Sequence, residues 1–127
     1  MATVEVTFTP LPAHVRTARL VAAAVARRSG VDEELLNEVR LAVGEACSRA
    51  VEAHRRHCPA EPVRIEMTDL GERFEVIVRD AAADSLEGGV MPAGFGLAVI
   101  SGLADDVRIS STGSGVSVRM TWPAALA

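Results

Sequence analysis

The run Asn37-Glu38-Val39-Arg40-Leu41-Ala42-Val43-Gly44-Glu45-Ala46-Cys47-Ser48-Arg49-Ala50-Val51-Glu52-Ala53-His54 decides the fold. Leu36, Val39, Val43, Cys47, Ala50 and His54 recur every three or four residues, which lays one stripe of an amphipathic helix on a core. A second row holds Leu41, Glu45, Arg49 and Glu52, so Glu45 and Arg49 stand one turn apart on the polar face. The chemistry of the chain falls on that row.

Outward from this helix, Asp32 is a natural N-cap, and Val31 can staple onto Leu36 across the first turn. Glu33 and Glu34 lie near the positive end of the helix dipole. The helix should run to about His57, closed by Pro59 and Pro62. Before it, Pro12 suits the first turn of another helix whose buried stripe is Val15, Ala18, Val21, Ala22 and Val25, ending at Ser29-Gly30. Val4, Val6 and Phe8 alternate with Glu5 and Thr7 as an opening strand.

Downstream, strands are expected over residues 63–68 and 74–79, with a glycine-containing hairpin loop over 69–72. Residues 80–96 read as a loop and 97–103 as a short helix. The last two strands, over 107–110 and 116–122, flank a turn at 111–115. Short connections imply mostly antiparallel pairing. The order β-α-α-β-β-loop-α-β-β predicts an α/β two-layer sandwich, its helices packed on one face of the sheet, with residues 1–127 as a single domain.

The 127 residues are 49% hydrophobic but only 3% aromatic, so the core must come from Val, Leu, Ile and Ala. A net charge of -4 and a pI near 5.3 argue against nonspecific nucleic-acid binding and suit a basic protein partner. The opening residues lack a charged-then-apolar signal. The apolar run from Leu20 to Ala26 is too short to cross a bilayer, so a soluble, cytoplasmic protein with no membrane contact is expected. Cys47 and Cys58 read as thiols.

Three segments can form one site: Glu45 on the central helix, Asp80 at the end of a strand, and Gly94-Phe95-Gly96 before the short helix. Glycines ahead of a helix let backbone N–H groups approach an anion, although a Gly-x-Gly is more often a plain turn. His54, His57 and Cys58 gather at the end of the central helix. With no second ligand motif, they read as a solvated helix end and a buried thiol rather than a metal site.

These segments resemble the anti-sigma factor serine kinases of the GHKL ATPase superfamily, which have the Bergerat fold. Val39 to Cys47 resembles the N-box helix, Val76-Ile77-Val78-Arg79-Asp80 the strand whose Asp recognises adenine, and Gly94 to Ile100 the second glycine box. Residues 104–107 and 116–120 resemble the last two strands. The resemblance implies ATP or ADP as ligand, with Glu45 as the general base that activates a serine hydroxyl. It further implies that Asp80 receives the adenine amino group and that Gly94 and Gly96 let a loop close over the phosphates. The implied partners are a sigma factor and an anti-anti-sigma protein of the STAS type, with a homodimer as the assembly.

Three departures bear on this. Where the family carries a metal-holding Asn, this chain has Arg49, whose guanidinium offers only donors and a fixed positive charge, so Mg²⁺ is not expected. Ala82, in Asp80-Ala81-Ala82-Ala83-Asp84, stands where a glycine belongs. Residues 81–93 include Asp84 and Glu87 but no basic residue. Arg49 could contact the phosphates as a substitute counter-charge, or pair with Glu45 four residues earlier; the ion pair is the simpler expectation. Two functions follow: a partner-switching anti-sigma-like regulator with a degenerate ATP site, or an active ATP-dependent protein serine kinase. A dimerising scaffold that keeps only the fold is a third.

Overall fold

Alternating residues build the sheet. In β2 (Val63–Asp69), Val63, Ile65 and Met67 are buried; in β3 (Arg73–Arg79), Phe74, Val76 and Val78 are. The period of two turns every second side chain toward the same layer. A computed structural model of the chain describes residues 2–82 and 99–125. Its sheet has five strands in the order β1-β2-β3-β5-β4, all paired antiparallel, with β1 at Thr3–Phe8, β4 at Asp106–Thr112 and β5 at Gly115–Pro123. The last strand therefore lies between β3 and β4. Phe74 faces Trp122 across that β3–β5 ladder, and Val76 faces Met120. The Trp122 indole N–H donates to the Leu103 carbonyl at 3.0 Å, which satisfies the one polar atom of a buried ring. Leu103 ends the helical stretch seen at residues 99–103; the rest of that expected helix lies outside the described residues.

Helix α1 (Pro12–Arg28) starts with Pro in its first turn, where a missing N–H costs nothing. It ends in a Schellman motif: Val31 N–H reaches the Ala26 carbonyl at 3.0 Å and Gly30 N–H reaches that of Arg27 at 3.2 Å. Gly30 has φ +91°, and a Cβ there would stand 2.2 Å from the Ala125 carbonyl oxygen, so glycine is required twice over.

The turn into the central helix differs from expectation. A 3₁₀ turn, Glu33–Leu35, precedes helix α2 (Leu36–His57), and Asp32 makes no side-chain cap. Its backbone carbonyl accepts the Leu35 N–H at 2.8 Å instead. Glu33 meets Arg27 at 3.2 Å, tying the two helix ends together. Val31 and Leu36 are both buried in the core, as a staple requires.

The predicted stripe of α2 is buried in full, and so are Ala42, Gly44, Ala46, Arg49, Val51 and Ala53. The arc is wide because α1 packs along α2 on one flank and β2 and β3 lie beneath it. Ala42, Gly44, Ala46 and Ala53 among these added positions are small, as such close approach demands.

Candidate functional site

Arg49 turns inward. Its side chain is 2% exposed, and Nη2 donates to Oδ2 of Asp80, whose side chain is 0% exposed. The expected pairing of Arg49 with Glu45 is thus corrected: Glu45 is exposed on α2, while the guanidinium reaches the end of β3. The wide buried arc is the cause, since it carries position 49 under cover and leaves position 45 in solvent. Burial pushes the Arg49 guanidinium down to about 10, still protonated at neutral pH.

Asp80 immediately follows Arg79, the last residue of β3, and is held from the sheet side. Its N–H donates to the Val116 carbonyl at 2.9 Å. Its Oδ1 accepts the N–H of Ala82 at 2.9 Å and that of Val116 at 3.1 Å. Gly115, with φ +143°, makes this approach possible: a Cβ there would lie 2.0 Å from the Asp80 carbonyl oxygen. Ala82 is buried at 1% exposure, so its methyl occupies space inside the protein beside the Asp80 carboxylate that its N–H meets. Gly94 and Gly96, together with Asp84 and Glu87, lie outside the described residues. The structure therefore brings Arg49 and Asp80 together and leaves Glu45 on the surface one turn before Arg49.

His54 has a part that the sequence reading missed. Its ring is 0% exposed, Nε2 accepts the Ala81 N–H at 2.8 Å, and Nδ1 lies 2.8 Å from the Glu61 carbonyl. The available signal was its place in the buried stripe, where an imidazole must find partners. Cys47 is fully buried, and burial pushes its thiol up to about 12; burial and the nearby Glu61 carboxylate raise that of Cys58. Among the described residues no three His, Cys, Asp or Glu side chains gather as a metal site would require, and no helix is long and apolar enough to cross a membrane.

A helix pair on an antiparallel sheet, with a carboxylate at the end of a central strand facing the helix, defines the class. Residues 8–122 match the model of the histidine kinase-like ATPase domain, and the chain belongs to that family. It is 30% identical to the serine-protein kinase RsbW of Bacillus subtilis, over 93% of this chain and 83% of that one. It is 28% identical to the RsbW of Bacillus licheniformis, over 87% and 78%. Its fold matches the crystal structure of the RsbU and RsbW domains of Rv1364c from Mycobacterium tuberculosis, with a TM-score of 0.73 at 18% identity. All of this chain is covered there, but only 35% of the longer one.

Proposed function

We propose that this protein is an anti-sigma-like regulator, binding a sigma factor and an anti-anti-sigma antagonist in turn, and that its nucleotide site no longer supports phosphoryl transfer. The buried Arg49–Asp80 pair carries the reading. In the family pattern Asp80 would accept the adenine amino group. Here one carboxylate oxygen is engaged by a guanidinium and the other by two backbone N–H groups. Arg49 has no lone pair to offer Mg²⁺. As arranged, these residues do not fit Mg-ATP, and phosphoryl transfer depends on positioning and on the metal's charge. Partner binding needs neither. A groove of about 350 Å³ between α1 and α2, lined by Arg16, Arg19, Glu52 and Arg55 among others, offers a partner a surface carrying both signs of charge.

The exposed Glu45 supports a second reading, an active serine kinase, because a general base must reach a partner's hydroxyl. Thermal unfolding with and without Mg-ATP separates the two. A ligand at a hundred times its dissociation constant adds about 2.7 kcal/mol of stability. The regulator reading expects no shift at millimolar Mg-ATP together with co-purification of a sigma factor. A Mg²⁺-dependent shift, with phosphoserine formed on an anti-anti-sigma protein, would establish the kinase instead.

A further inference from the structure

We infer that His54 is a positioning residue for Asp80, acting as the neutral imidazole with its proton on Nδ1. The inference rests on the reading of Asp80 as the group that confronts a ligand or Arg49. The Ala81 backbone N–H can only donate, so Nε2, 2.8 Å away, must present a lone pair. The Glu61 carbonyl can only accept, so Nδ1 must carry the hydrogen. With no exposure, the ring is closed off from bulk solvent, so these two partners fix its tautomer.

This fixes the chain from two sides. From the sheet, Val116 exchanges two backbone-level hydrogen bonds with Asp80, one to its carboxylate and one from its N–H. From the helix, α2 takes hold twice within little more than a turn: Arg49 grips the carboxylate of residue 80 and His54 the amide of residue 81. Rotation of the 80–81 peptide would have to break the imidazole contact, so His54 holds the backbone from which the Asp80 side chain is aimed at Arg49. His54 thereby sets the direction in which Asp80 presents its acceptor oxygens, and the Glu61 carbonyl sets His54.

The wild-type chain gives the first test. Long-range proton–nitrogen NMR should show the His54 proton on Nδ1 and a lone pair on Nε2 at neutral pH; a proton on Nε2 overturns the proposal without any variant. The second compares His54→Phe, which keeps the ring size, with His54→Gln, which retains one donor and one acceptor. His54→Phe should speed hydrogen exchange at the Ala81 and Ala82 amides roughly tenfold relative to those of Met67 and Val76. The Arg49 guanidinium resonances should broaden as its carboxylate loses a fixed aim, and His54→Gln should recover part of both effects. Unchanged Ala81 exchange in His54→Phe, or equal acceleration at all four amides, would reduce His54 to a packing residue. Nucleotide enters none of these measurements. A chain that binds Mg-ATP yet shows the Nδ1 tautomer would sink the closed-site reading and leave the positioning role standing.

Discussion

Helix α2 carries two acid–arginine pairs with the same spacing and the same favoured order, and they behave differently. Glu52 and Arg56 meet at 2.9 Å with both side chains about half exposed. Glu45 and Arg49 have identical spacing, yet Arg49 leaves its neighbour for Asp80, 31 residues away in sequence. The difference is cover. At the end of the helix both partners stay in water, where holding them together is worth a few tenths of a kcal/mol. Within the buried arc of α2, a guanidinium is costly without a counter-charge, and Asp80 is buried with it. Local spacing proposes an ion pair; burial decides whether it forms.

The largest expected effect comes from breaking the buried pair on one side. Arg49→Leu leaves the Asp80 carboxylate without its counter-charge and should cost about 3–5 kcal/mol in urea unfolding, against less than about 0.5 kcal/mol for Arg56→Leu. Combining Arg49→Leu with Asp80→Asn, whose neutral amide oxygen can still accept the Ala82 and Val116 N–H groups, should recover much of that loss. Equal costs for the two single substitutions would erase the contrast between the pairs.

An alkaline titration sharpens it further, because the chain has no Tyr and all its basic side chains except His are Arg, so the two thiols and Arg49 dominate the titration above pH 9. The Cys47 thiol is raised from 9.0 to about 12. Its contribution is complete below pH 9 and is lost as pH climbs toward 12, since the unfolded thiol ionises first. Burial lowers Arg49 to about 10, so the unfolded chain binds more protons above pH 10 and stability gains there. Stability should therefore fall by somewhat under about 1 kcal/mol between pH 9 and 10 and then level off. In Cys47→Ala the fall should shrink and the later rise emerge. A steady decline to pH 12 in that variant would mean that the attraction of Asp80 outweighs desolvation at Arg49.

The smallest effect is that of salt. Raising NaCl to about 1 M shortens the screening length to roughly 3 Å. It should abolish the Glu52–Arg56 coupling measured by a double-mutant cycle and leave that of Arg49–Asp80 nearly intact. Loss of both would place water at the buried pair.

Most of the fold was legible from local pattern. Period-two alternation gave β2, β3 and β5 to within a residue at most of their ends, and the stripe of α2 was buried as expected. Short connections implied antiparallel pairing, which every ladder shows. The expected cap at Asp32 failed because a 3₁₀ turn intervened and the backbone carbonyl met the donor first. At the site, Glu45, Arg49 and Asp80 were all singled out, but the contact between Arg49 and Asp80 was not. The overlooked sign was the run of small residues Ala46, Ala50 and Ala53 around Arg49, which extends the buried arc of α2 over that position. Gly115 read as part of a turn, yet its lack of a Cβ is what lets Asp80 approach β5.

What the amino-acid order determined by itself was local: which segments form helix or strand, which face of each is apolar, and which residue types could bear chemistry. Those follow from backbone geometry and hydrophobic period, which act within a few residues. The tertiary structure alone decided who faces whom: β5 between β3 and β4, His54 under Ala81, and Arg49 against Asp80. Such contacts depend on how layers stack and which groups lose their water. A charge removed from solvent must find its opposite wherever the chain has brought one.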